Sequence, residues 1–305
     1  RAPEAMDFPT LRQAAARLGE LVFVTATDGN HGRGLAWAAA QFGCRAVVFM
    51  PAGSSPHRVS AIAAEGAEVR VTEVNYDGAV RMAAGAAAER GWHLVQDTAL
   101  PGYEEIPVWI VQGYTTMAAE VLAQLAERGL PTPTHLLLQA GVGSLAASVL
   151  GYYANALGPD CPRTLIVEPD QADCLFRSAL ADDGTPRTVG GALGTIMAGL
   201  ACGEPNPWAW QVLRDFAAGF VSCPDAVAAL GMRQLARPCG DDPPIVSGES
   251  GAVGVGLLCR LASDPGQAAV KERFGLGPAS VVLCFSTEGD TDPESYRAIV
   301  DRPAP

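Results

Sequence analysis

Apolar and polar positions along the chain switch repeatedly between two periods. Residues 21–26 (LVFVTA) form a short apolar run, as expected of a strand buried on both faces. Residues 30–42 then place alanines, Leu35 and Trp37 at helical spacing until Gly43 ends the pattern. The alternation continues with a strand at 45–50 stopped by Pro51, a helix at 57–65 ended by Gly66, a strand at 68–73 and a helix at 76–90 ended by Gly91. A short strand at 93–96 delivers Asp97. Upstream, Leu11, Ala15 and Leu18 share one face of a helix closed by Gly19.

From Pro101 the pattern restarts. A long helix is expected at 112–128, a break at Thr132-Pro133, a strand at 135–139, a helix opened by residues 140–145 and running to about Leu157, and a strand at 164–167. A loop-rich stretch spans 182–208, helices follow at 210–218, 225–236 and 251–262, and a last strand at 280–285 runs into the turn at 286–292. Strands that alternate with helices across short loops pair in parallel and are covered on both faces. The expected fold class is therefore α/β, two Rossmann-like three-layer lobes with parallel-rich sheets, a small domain at 1–100 and a large one at 101–305. In open sheets of this kind ligands bind beyond the carboxyl ends of the strands, where the glycine-rich loops sit.

Composition narrows the function. A chain of 305 residues with 49% hydrophobic content can bury a core for two lobes. A net charge of −12 and a pI near 4.8 argue against a nucleic-acid or anionic-membrane partner and for a small-molecule substrate. The eight cysteines show no Cys-x-x-Cys pair and no neighbouring histidine cluster, so neither a metal site nor a disulfide scaffold is expected, and the thiols read as reduced and mostly buried. No signal-peptide pattern and no apolar run of about 18 residues occur, so a soluble, cytoplasmic protein is expected.

Three loops carry candidate chemistry. Thr25-Ala26-Thr27-Asp28-Gly29-Asn30-His31-Gly32-Arg33-Gly34 joins a strand to a helix, and the amides of that helix's first turn would face a polar or anionic group. Taken alone, Asp28 or Asn30 could simply cap the helix. Gly141-Val142-Gly143-Ser144-Leu145 also runs from strand to helix and makes a phosphate cradle without a lysine, to which Ser144 can add a hydroxyl. A dinucleotide is disfavoured there, because Ala146 stands where the third glycine of the fingerprint belongs and no acidic ribose partner is evident. Cys284-Phe285-Ser286-Thr287-Glu288-Gly289-Asp290 closes the last strand and reads on composition alone as a solvated turn.

Together these loops resemble the fold type II, or tryptophan-synthase-like, pyridoxal-phosphate enzymes. The first is similar to the family's asparagine loop, Ser/Thr-x-Gly-Asn-His-Gly, and the second to its phosphate loop. Asp28 just before Gly29-Asn30-His31 is most similar to the diaminopropionate ammonia-lyase branch. Further likeness lies in Tyr103-Glu104-Glu105-Ile106-Pro107, Val111-Gln112-Gly113-Tyr114, Val167-Glu168-Pro169, residues 195–205 and Ser247-Gly248-Glu249-Ser250-Gly251, so that it covers nearly all of the chain from residue 21.

The resemblance implies pyridoxal 5'-phosphate as cofactor and α,β-elimination of 2,3-diaminopropionate to pyruvate and ammonia, by a homodimer. It implies that Asn30 meets the ring hydroxyl, that Gly141, Val142, Gly143, Ser144 and Leu145 hold the phosphate, and that Thr287, with Ser286 as the alternate, faces the ring nitrogen. Asp28 is then similar to the acid–base group for the D-isomer and Asp97 to that for the L-isomer, while Thr27, Glu249 and Ser250 would lie against substrate. A carboxylate in a partly dry cleft is raised toward working pH, which suits proton transfer. In this family the Schiff-base lysine precedes the asparagine loop in a segment of the type Asn-x-Phe-Lys. Residues 1–27 contain no lysine and Lys271, the sole one, reads as the exposed end of a helix, so the chain, which begins at Arg1, is expected to lack the segment that carries it. A serine/threonine dehydratase on the same scaffold, or a lysine-less protein that binds amino acid or cofactor without catalysis, are the alternative readings.

Overall fold

The computed structural model describes residues 7–27, 29–100 and 102–302. By contact density the chain divides into two compact units, residues 1–96 and 97–305.

The first unit carries a parallel sheet built from β1 (Val22–Ala26), β2 (Arg45–Met50), β3 (Glu68–Val71) and β4 (His93–Leu94), in the order β3-β2-β1-β4. Its helices are α1 (Phe8–Ala16), α2 (Asn30–Phe42), α3 (Pro56–Ala64) and α4 (Tyr76–Arg90). Strand side chains alternate between faces. Ala46, Val48 and Met50 therefore pack with Ala36 and Ala39 of α2 and Ile62 of α3, leaving Val47 and Phe49 to the opposite side, and α4 packs against β1 and β2. Alanine at the buried positions of α2 and α4 lets both helices lie close to the strands.

The second unit repeats the plan with heavier side chains. It is built from α5 (Glu105–Glu127), β5 (His135–Gln139), α6 (Ser144–Leu157), β6 (Arg163–Pro169), α7 (Cys174–Ala181), α8 (Pro207–Phe216), β7 (Gly219–Cys223), α9 (Asp225–Ala236), α10 (Glu249–Ser263), α11 (Ala268–Phe274), β8 (Val282–Cys284) and α12 (Pro293–Val300). The strands are again parallel, in the order β7-β6-β5-β8. On one face Leu136 and Leu138 join Ala147 and Leu150 of α6 with Trp210 and Leu213 of α8; on the other, Leu137 joins Val227 of α9 and Val253 and Leu257 of α10. This is an α/β fold of two three-layer sheets. Among the described residues no helix is long and apolar enough to cross a membrane.

Several expectations need adjustment. Helix α5 begins two turns earlier than position 112, because Pro107 falls in its first turn, where a missing N–H costs nothing. Strand β7 and helices α7 and α12 fall where no element was expected. Of the eight cysteines, only Cys174, Cys202 and Cys223 are buried; Cys239 is exposed and the other four lie between.

In both sheets the second and third strands step outward on one side of the first, and the fourth pairs on its other side. Each sheet thus reverses direction between its first and fourth strands. A crevice opens at such a reversal, beyond the carboxyl ends of the two strands. In the first unit those ends lead into Thr27 and into residues 95–96; in the second, into residues 140–144 and 285–288.

Candidate functional site

At the end of β1 the chain turns tightly into α2. Thr27, 4% exposed, accepts the Gly29 amide on its Oγ1 at 2.9 Å, while its own amide donates to the Phe49 carbonyl at 3.0 Å. A Cβ on Gly32 would lie 2.3 Å from Thr27 Cγ2 and 2.9 Å from Val48 Cγ1, so this turn of α2 lies directly on the strands. Asn30 opens α2 and is exposed. Asp28 lies outside the described residues. Behind the turn, Gln96 is fully buried: its Oε1 accepts from Thr25 Oγ1 and the Ala26 amide, both at 2.9 Å, and its Nε2 donates to Tyr76 Oη at 3.0 Å. His31 Nε2 meets the Val95 carbonyl at 2.8 Å.

At the end of β5 the chain enters the Gly141–Ser144 turn. A Cβ on Gly141 would meet Cys202 Sγ at 2.9 Å and the Gly199 carbonyl at 3.3 Å. Gly143 adopts φ +96°, open to glycine at little cost, and a Cβ there would press on Leu213 at 3.1 Å and Leu175 at 3.3 Å. Packed this closely, the turn opens α6 at Ser144, and the free amides of a helix start are an arrangement that takes an anionic oxygen cluster. Ser144 is 2% exposed and fully engaged: its hydroxyl donates to the Asp97 carbonyl at 2.6 Å and accepts from Asn206 Nδ2 at 2.9 Å. Its side chain here pins Asp97, and the turn's anion-facing donors are main-chain amides. The Tyr114 phenol of α5 is pushed well above its ordinary pKa, first by burial and then by the negative charge of Asp97.

After β8, Gln139 Nε2 donates to the Phe285 carbonyl at 2.7 Å and to Thr287 Oγ1 at 3.0 Å, tying the end of β5 to the turn. Ser286 Oγ donates instead to Ser247 Oγ at 2.8 Å. Glu288 accepts the Ser250 amide at 2.7 Å, capping the start of α10. Glu249 is buried and accepts from Ser295 Oγ of α12 at 3.1 Å. Ser250 is also buried, and its Oγ has no hydrogen-bond partner among the described residues. An orphaned hydroxyl at a helix start is what a bound polar group would satisfy.

The structure thus brings Ser144 to the backbone of Asp97, Thr287 to the end of β5, and Glu249 and Ser250 to the residues that follow Thr287. Thr27 and Asn30 belong to the first unit, where Thr27 is held by the Gly29 amide and the Phe49 carbonyl. Gln96, His31, Gln139 and Asn206 were not singled out from sequence; Gln96 and Gln139 are polar residues at or beside a strand end, His31 lies in the first turn of α2 and Asn206 caps α8, each a weak signal that could have found it. Lys271 lies in the last turn of α11 and is half-buried. Among the described residues no group of three or more His, Cys, Asp or Glu could hold a metal ion. The glycine-lined amide array, the oriented Thr287 hydroxyl and the orphaned Ser250 hydroxyl fit a phosphorylated aromatic cofactor.

Comparison with known proteins gives the same family. A family model described as pyridoxal-phosphate dependent enzyme matches residues 6–272. Diaminopropionate ammonia-lyase of Escherichia coli K12 is 52% identical over 298 residues, 97% of this chain and 73% of that protein. A probable D-serine dehydratase of Burkholderia pseudomallei is 28% identical over 292 residues, covering 92% of this chain and 62% of its own. The crystal structure of the holo Escherichia coli diaminopropionate ammonia-lyase superposes with a TM-score of 0.89 at 50% identity, over 97% of this chain and 73% of that one. That enzyme has also been solved in complex with an aminoacrylate-PLP azomethine reaction intermediate, with a TM-score of 0.88 to this chain at 48% identity, over 96% of this chain and 77% of that one.

Proposed function

The chain belongs to the pyridoxal-phosphate dependent enzymes, and from that premise we propose that it eliminates the β-amine of 2,3-diaminopropionate as ammonia, the product then taking up one water and losing the α-amine as a second ammonia to give pyruvate, a carbon–nitrogen lyase reaction. The observation that carries this reading is 52% identity to an enzyme of that name over 97% of the chain. Pyridoxal phosphate, when bound, supplies the electron sink that renders the α-proton of an amino acid removable. The chain's residues hold and orient it: the amides of Gly141, Val142, Gly143, Ser144 and Leu145 for the phosphate, Asn30 for the ring hydroxyl and Thr287 for the ring nitrogen.

Two aspartates divide the proton transfer. Asp97, whose carbonyl is held by Ser144, takes the α-proton of the L-isomer, and Asp28 that of the D-isomer. The departing β-amine leaves once protonated. Thr27, Glu249 and Ser250 contact substrate. In this reading residues 1–100 act as the small domain and 101–305 as the large one, and the enzyme works as a cytoplasmic homodimer.

The test is pyruvate formation from each isomer by the full-length, cofactor-loaded protein. Turnover of either supports the assignment; turnover of neither, with cofactor bound, rejects it. Deamination of serine or threonine without activity on diaminopropionate would move the assignment to a dehydratase.

A further inference from the structure

Strands β1 and β4 pair over only two residue pairs, Phe23 with His93 and Val24 with Leu94. The Val95 amide then donates to the Val24 carbonyl at 2.8 Å. In a parallel ladder the next bond would run from the Ala26 amide to the Val95 carbonyl. Instead each half of that bond goes to a side chain. The Ala26 amide donates to Gln96 Oε1 at 2.9 Å, and the Val95 carbonyl meets His31 Nε2 at 2.8 Å.

Here the sheet of the first unit reverses. Strand ends must part to open a crevice, yet a buried backbone donor left without a partner is destabilising. Gln96 resolves the conflict from within the site. It is fully buried, its Oε1 accepts from Thr25 Oγ1 as well as from Ala26, and Tyr76 takes its Nε2. His31 does the same for the acceptor from the first turn of α2.

We propose that Gln96 and His31 are positioning residues that replace the last ladder bond between β1 and β4, and so set the course of the two aspartate-bearing segments that leave this point. Gln96 governs the segment into Asp97 and His31 the segment that enters α2. The inference rests on the elimination reaction for the roles of the aspartates, and on the unit's own geometry for the rest.

Two measurements test it. Amide hydrogen exchange on the full-length protein without substrate reads the bond itself. Gln96→Met keeps the volume but loses the acceptor, and Ala26 should exchange about tenfold faster or more; Gln96→Glu keeps the acceptor and should restore protection. On the cofactor-loaded enzyme a displaced acid–base group lowers kcat more than it raises KM, and a shift of about 1 Å can cost on the order of 100-fold. Gln96→Met should therefore depress kcat selectively for the L-isomer and His31→Phe for the D-isomer, moving the isomer ratio in opposite directions. If Gln96→Met does not fold, Tyr76→Phe removes only the outer partner and should give the same signs at about threefold. Unchanged Ala26 exchange, or an unchanged isomer ratio, in a folded variant overturns the proposal. The exchange arm needs no substrate, so it decides the replaced bond even if neither isomer is turned over, an outcome that would reject the reaction alone.

Discussion

In the unit of residues 1–96 the loop after the first strand is held by polar side chains: Thr27 on Gly29, His31 on Val95, Gln96 on Ala26. In the unit of residues 97–305 the glycines of the corresponding loop are held by packing, Gly141 against Cys202 and Gly143 against Leu213 and Leu175, while Asn206 and Ser144 supply polar ties at the loop's end. The two sheets share one strand order, so the difference is not one of topology. A loop pinned by side chains can present a chosen functional group, whereas a loop pinned by apolar contact presents its own amides. The first arrangement suits proton transfer and the second suits a phosphate.

The largest expected effect tests the proton-transfer role. Asp97→Asn and Asp28→Asn should each lower kcat by about 10²–10⁴-fold for one isomer and much less for the other, read by steady-state pyruvate formation. Equal loss on both isomers would dissolve the division of labour.

Next comes the packed loop. Gly143→Val forces a branched side chain to φ +96° and into Leu213. It should cost about 1–3 kcal/mol in denaturant unfolding and weaken cofactor binding about tenfold or more in equilibrium dialysis. Gly32→Ala probes the other loop. The clash with Thr27 should outweigh the helix-propensity gain of up to about 1 kcal/mol, for a net loss of about 1–2 kcal/mol in the same unfolding experiment.

A gentler contrast concerns the groups at the strand ends. The first unit uses a neutral carboxamide, Gln96; the second buries the Glu168 carboxyl at the end of β6, where it accepts the Leu175 and Phe176 amides at 2.8 and 2.6 Å. Burial raises its pKa to about 8, although the two amides pull the other way. The folded protein then holds a proton that the unfolded chain releases near 4.5. Stability from this group is full below the unfolded value and is lost as pH rises toward about 8. Glu168→Gln should flatten that slope in melts taken across the window, whatever it does to the absolute stability. The smallest effect is expected at Arg33, whose ion pair with Glu65 beside the asparagine loop is 59% exposed on the arginine side. Arg33→Ala should change unfolding by about 0–1 kcal/mol, since solvent screens such pairs.

Much of this architecture was legible locally. Asn30–Phe42, Arg45–Met50, Tyr76–Arg90, His135–Gln139 and Asp225–Ala236 occur at the limits that period, cap and glycine signals predict, because those signals act within a few residues of themselves. Other elements had no local signature. Helix α7 starts on amides that Glu168 satisfies from seven and eight residues upstream. Strand β7 is short, only partly buried along most of its length and paired with β6 alone.

From its amino-acid order alone, then, this protein determined where many of its strands and helices begin and end, and that glycine-rich turns lead from strands into helices. Only the tertiary structure decided that β4 pairs beside β1 and β8 beside β5, and that Gln96, His31, Gln139 and Asn206 would serve the turns at those ends. The reason is that a side chain's partner across a sheet is chosen by strand order and register. Strand order follows from how whole layers bury their faces, which no window of a dozen residues contains.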